Sequence, residues 1–75
     1  MENATQTQLD AACAKHNEQF NKLQALESRW IDEVRAGHCK KASTTRSQAD
    51  MMRTLMRVTS DRIINLKLDL MNQNA

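Results

Sequence analysis

Apolar residues in the first half of the chain fall at Leu9, Cys13, Phe20, Leu23, Trp30 and Val34. With His16 counted among them, they step by 4, 3, 4, 3, 7 and 4. Alternating steps of three and four keep a row on one side of an α-helix, and sustained over several turns they make a heptad seam. The pattern predicts a helix over about 7–36, with Glu27 in the seam position between Leu23 and Trp30, and with Leu26 and Ile31 widening the stripe. A second seam runs Met52, Met56, Thr59, Ile63, Leu66 and Leu70, stepping 4, 3, 4, 3 and 4, with Leu55 beside it. It predicts a second helix over about 45–72. The only glycine, Gly37, follows the first pattern and suits the left-handed residue that closes a helix.

Local signals refine the ends. Residues 1–6 are polar and without period, so they are expected to fray. Thr5 or Thr7 can cap the first helix, Thr5 with Gln8 in a capping box. Arg35 in the last turn favours the helix dipole. Residues 37–44 are polar, basic and short, and read as the connection. Thr45 with Gln48 forms another candidate capping box, with Ser43 and Thr44 as competing caps. Two helices of nearly equal length and a short loop make an all-α antiparallel two-helix hairpin, one coiled-coil-like domain. Its core is expected to hold Leu9, Phe20, Leu23, Trp30, Val34, Met52, Leu55, Ile63, Leu66 and Leu70. In that hairpin Trp30 and Val34 lie near Met52, and Leu9 and Cys13 near Leu70.

A second apolar row does not fit that core. Ile64, Leu68 and Met71 recur at i, i+4 and i+7, about 100–160° around the helix from the seam. They cannot face the first helix at the same time as Ile63, Leu66 and Leu70. Nearer the turn the same face carries Arg53 and Arg57. A helix that is apolar on two sides is buried on two sides, and in a two-helix chain the second cover comes from another chain. Ile64, Leu68 and Met71, with Met51 and Val58 along other margins, are therefore the expected partner-binding residues.

Composition limits the alternatives. At 75 residues the chain is one domain, and at this size a core rarely supplies more than about 3–5 kcal/mol without a staple or association. Five methionines suit an adaptable binding surface, though any one of them also serves as core filler. The net charge is only +2, but residues 1–36 hold four Lys/Arg against six Asp/Glu, and residues 37–75 hold seven against three. That asymmetry favours hairpin closure, although solvated helix faces carry such charges too.

Chemistry finds little footing. Cys13 and Cys39 would stand more than ~30 Å apart along the hairpin, far beyond the ~7 Å that a disulfide spans. Two free thiols and no apolar leader point to the cytoplasm. No apolar run approaches the ~18 residues of a membrane span. Cys13-x-x-His16 and His38-Cys39 sit at opposite ends and cannot converge on one zinc ion within a single hairpin, so no metal or other cofactor is expected. His16 reads as a seam residue, His38 and Cys39 as turn residues. No nucleophile–base pair converges and no phosphate loop exists, so no enzyme is expected. Nucleic acid is the rival partner class, through Arg46, Arg53, Arg57 and Lys41 on the basic face of helix two, in a dimeric four-helix bundle. A homo-oligomer of that kind would also cover the spare apolar row.

The turn Val34-Arg35-Ala36-Gly37-His38-Cys39 and the segment Asp61-Arg62-Ile63-Ile64-Asn65-Leu66 resemble the small E-type co-chaperones of type III secretion needle subunits, loosely across Leu23 to Leu70. The resemblance implies a bacterial cytoplasmic helical hairpin. It also implies that the chain joins a tetratricopeptide-like chaperone to hold the needle subunit and prevent its early polymerisation. A needle or rod subunit is a related reading, but the turn of such subunits usually contains proline and this chain has none.

Overall fold

A computed structural model of the protein describes residues 3–73; Met1 and Glu2, part of the segment expected to fray, lie outside the described residues. Two helices, α1 (Ala4–Arg35) and α2 (Cys39–Gln73), pack side by side in one antiparallel hairpin. The fold is the expected all-α hairpin, but the connection is much shorter than residues 37–44. Ala36, Gly37 and His38 alone make the turn. Gly37 sits at φ +76°, its N–H donates to the Val34 carbonyl, and the His38 N–H reaches back to the Glu33 carbonyl. That pair of bonds is a Schellman closure, and it reverses the chain within three residues. The His38 carbonyl then accepts the Ala42 N–H, so α2 is already winding through Lys40, Lys41 and Ala42, all good helix formers.

Three local expectations are corrected. Asn3, not Thr5 or Thr7, caps α1: its side-chain oxygen accepts the Thr5 N–H at 2.9 Å. Residues 4–6, expected to fray, are consequently helical. Thr45 caps nothing. It lies inside α2, where its hydroxyl donates to the Glu33 carboxylate across the hairpin.

Register follows from cross-helix hydrogen bonds. Thr45 meets Glu33, Arg53 meets Glu27 and Gln73 meets Thr5, from the turn to the open end. The α2 seam is the expected one, extended towards the turn: Ala42, Thr45, Ala49, Met52, Met56, Thr59, Ile63, Leu66 and Leu70 are buried or half-buried. The α1 seam keeps Leu9, His16 and Leu23, but its other row is Ala12, Gln19, Leu26 and Glu33. The expected row of Phe20 and Val34 is displaced by one residue, about 100° of rotation, onto the rim. Both are about half exposed, at 46% and 50%. Cys13, in that same row, is only half-buried, and Glu27 stands on the rim beside Arg53. Leu55 and Ile31 also point outward, and Trp30 is 36% exposed at the edge of the seam.

The physical reason lies across the interface. The most buried residues of α2 are Ala42, Thr45, Ala49 and Thr59, with Leu66. Small side chains on α2 leave the choice of the facing α1 row to specific contacts: Ala12 seats in the open-end cluster, and Glu33 reaches the Thr45 hydroxyl near the turn. Among the described residues the one tight apolar cluster is at the open half, where Leu9, Ala12 and Leu66 meet Cys13, Ile63 and Leu70. Leu9 and Leu66 are the only large apolar side chains among the described residues that are buried.

Gln19 interrupts the seam at the level of Thr59. It is buried, and its Oε1 has no hydrogen-bond partner within the chain. The neighbouring Thr59 hydroxyl is committed to the Leu55 carbonyl at 3.1 Å. An unpartnered buried amide oxygen costs about 1–3 kcal/mol. Gln19→Leu is therefore expected to raise the unfolding free energy by about 1 kcal/mol, read as a higher urea midpoint with an unchanged slope.

Candidate interaction surfaces

The hairpin is a rod with extents of 56 × 17 × 12 Å and a radius of gyration of 17.0 Å. A compact chain of this length would have a radius of about 11 Å. Its accessible surface is 5847 Å2, against about 4,700 Å2 for a compact protein of 8.6 kDa. The excess, about 1,100 Å2, is somewhat more than one partner's ~800 Å2 share of a standard protein interface.

Much of that surface is apolar, and it falls in rows. Ile64, Leu68 and Met71 lie on the outside of α2 near the open end, 54%, 51% and 67% exposed. Met51, Leu55 and Val58 make a second row at i, i+4 and i+7 nearer the turn, and all three are exposed. Phe20, Trp30, Ile31 and Val34 add an apolar margin on α1. The five residues expected to bind a partner are thus all solvent-facing. Of the ten expected core residues, Phe20, Trp30, Val34 and Leu55 are not in the core.

The two grooves that run along the hairpin differ in charge. One cleft, near the turn, is lined by Glu27, Trp30, Arg46, Ala49, Asp50 and Arg53. Its charges are largely spent on each other: Arg53 contacts Glu27 at 3.1 Å and Asp50 at 2.6 Å. The Arg46, Arg53, Arg57 row considered for nucleic acid is therefore partly neutralised. The other groove carries Arg29, Lys40 and Lys41 towards the turn and Lys15 and Arg62 towards the open end. Sequence reasoning passed over this stripe. Its signal was the recurrence of Lys15, Lys22 and Arg29 every seven residues, which places all three on one side of α1.

Cys13 and Cys39 are free thiols, half-buried and exposed. Among the described residues no three of His, Cys, Asp and Glu gather where they would hold a metal ion, and no helix is long and apolar enough to cross a membrane. Searches of protein families, curated proteins and solved structures found no match to this chain.

Proposed function

We propose that this chain is a non-enzymatic protein-binding module that works as a cytoplasmic co-chaperone, joining a tetratricopeptide-like chaperone to hold a type III secretion needle subunit unpolymerised. The observation that carries the binding role is the exposed Ile64, Leu68, Met71 row on a hairpin with about 1,100 Å2 more surface than its mass requires. Helical partners recognise such a row through anchors at i, i+4 and i+7. The finer assignment draws on the sequence resemblance, and its two segments make physical sense in the fold. Val34–Cys39 forms the closure around Gly37, and the paired isoleucines divide their work: Ile63 is half-buried in the seam and Ile64 faces out.

The test is a double variant, Ile64→Ser with Leu68→Ser. Each side chain is worth about 1.5–3 kcal/mol if fully buried on association, so the pair is expected to weaken partner binding by a hundredfold or more. Helicity by circular dichroism should remain within a few per cent, because neither residue belongs to the hairpin core. The readout is capture of the tagged chain from its own cells with mass identification, expected to return a helical chaperone and a needle subunit with the wild-type bait only. Unfolding of the double variant in isolation would place those residues in the core and end the proposal.

A second reading, a dimeric four-helix bundle regulating RNA or DNA, draws on the same excess surface, since two copies would cover each other. Light scattering separates them. A co-chaperone is monomeric or poorly soluble alone, a regulator is a tight dimer, and a needle or rod subunit forms filaments.

A further inference from the structure

We propose that the groove bounded by Lys15 and Arg62 at one end and by Arg29, Lys40 and Lys41 at the other docks an acidic amphipathic helix. The inference rests on the reading of the chain as a protein-binding module and adds the chemistry of the bound segment.

Charge is the first ground. Among the described residues none of these five cations makes an ion pair, whereas Arg53 on the opposite side is held by two carboxylates. Among the residues that line the two ends Glu33 is the one carboxylate, and it is buried and accepts the Thr45 hydroxyl. Lys22, in the same row as Lys15 and Arg29, is paired with Glu18 at 3.0 Å, so the free positive charge concentrates at the two ends. Unpaired cations grouped this way steer and hold an anionic partner.

Shape and polarity decide which anion. Lys15 and Arg29 are separated by four helical turns, about 21 Å. Between the two charged ends, α2 presents apolar side chains. Val58 lines the groove beside Lys15 and Arg62, and Leu55 and Met51 continue its row towards the turn. A helix with an apolar centre and acidic residues in its first and last turns matches both features. Phosphate backbones gain nothing from that apolar stretch, and no aromatic lines this groove to stack a base: Trp30 borders the other one.

The full-length chain is titrated with a designed peptide of about 18 residues that has Leu at i, i+4 and i+7 in its middle and Glu in its first and last turns. A Lys-for-Glu counterpart, polyuridylate and a short DNA duplex serve as competitors, and binding is read by calorimetry. The acidic peptide is expected to bind at micromolar concentrations. Its affinity should fall about tenfold as salt is raised from about 50 to 500 mM. Lys15→Glu with Arg62→Glu, both at exposed positions, should weaken it at least tenfold. Arg29→Glu with Lys41→Glu should do the same, while Arg46→Glu with Arg57→Glu should change it less than about twofold.

Equal binding of the Lys peptide, indifference to the groove charges, or tighter binding of polyuridylate or DNA through the same cations would overturn the proposal. So would a dimer that dissociates as the peptide binds, since a second copy would then own the groove. Partner capture lost in the Ile64 and Leu68 variant but intact in both groove variants would sink the groove and leave the binding role standing.

Discussion

Leu66→Ala is expected to leave the isolated chain largely unfolded in water at 25 °C. Leu66 is 6% exposed and lies in the one tight apolar cluster among the described residues, against Leu9 and Ala12. Truncating a buried leucine costs about 2–5 kcal/mol, the transfer of three carbons plus the cavity that remains. A chain of this size without a disulfide or metal holds about 3–5 kcal/mol in all, so one substitution removes most of it. Leu68→Ala supplies the internal control. Leu68 lies two residues away on the outer side of the same helix, half exposed, and its truncation should lower the unfolding free energy by less than about 0.5 kcal/mol. Circular dichroism across a urea titration of the two variants decides the matter. Equal losses would mean that Leu66 is not the centre of the core.

The second large effect sits at the other end of the seam. Thr45→Val should destabilise the hairpin by about 1–3 kcal/mol, although valine has nearly the shape of threonine. The Thr45 hydroxyl donates to Glu33, and both residues are buried, at 3% and 9% exposure. Removing the donor leaves the Glu33 carboxyl enclosed without that hydrogen bond, and a stranded polar group costs more than the bond itself contributed. The same logic predicts repair. Thr45→Val combined with Glu33→Leu should recover most or all of the loss, because replacing both partners by apolar groups is close to neutral or stabilising. Denaturant midpoints of the two single variants and the double close the cycle. Additive losses would show that the two side chains do not act together. If the double variant is more stable than wild type, the polar pair serves register: it locks the turn-proximal end against a slip of one heptad, where the seam offers only alanines and threonine to set the alignment.

These two sites also mark where sequence reasoning succeeded and where it failed. The α2 seam was legible because Met52, Met56, Ile63, Leu66 and Leu70 are large, apolar and in step. The α1 seam was misread by one residue in every heptad. Phe20 and Val34 are the more apolar choices, but the row that faces α2 is Ala12, Gln19, Leu26 and Glu33, held at the turn by the Glu33–Thr45 hydrogen bond and at the open end by Ala12 in the cluster with Leu9 and Leu66. Hydrophobicity ranks candidates for burial, whereas the side that turns inward also depends on the hydrogen bonds and contacts that the opposite helix offers. The early start of α2 has a similar origin. Residues 40–44 look like a basic loop, but Ala42 and Thr45 pack against the end of α1, and that burial outweighs the polarity of their neighbours.

By itself the sequence determined the two helices, the reversal at Gly37, the antiparallel pairing and the surplus apolar row at Ile64, Leu68 and Met71, because each follows from periodicity or from a single residue's backbone freedom. Only the tertiary structure decided which side of α1 faces inward, and with it the exposure of Phe20, Trp30 and Val34 and the gathering of Lys15, Arg62, Arg29, Lys40 and Lys41 along one groove. Rotation of one helix about its own axis is invisible in its own periodicity. It is settled by the contacts and hydrogen bonds that the other helix offers.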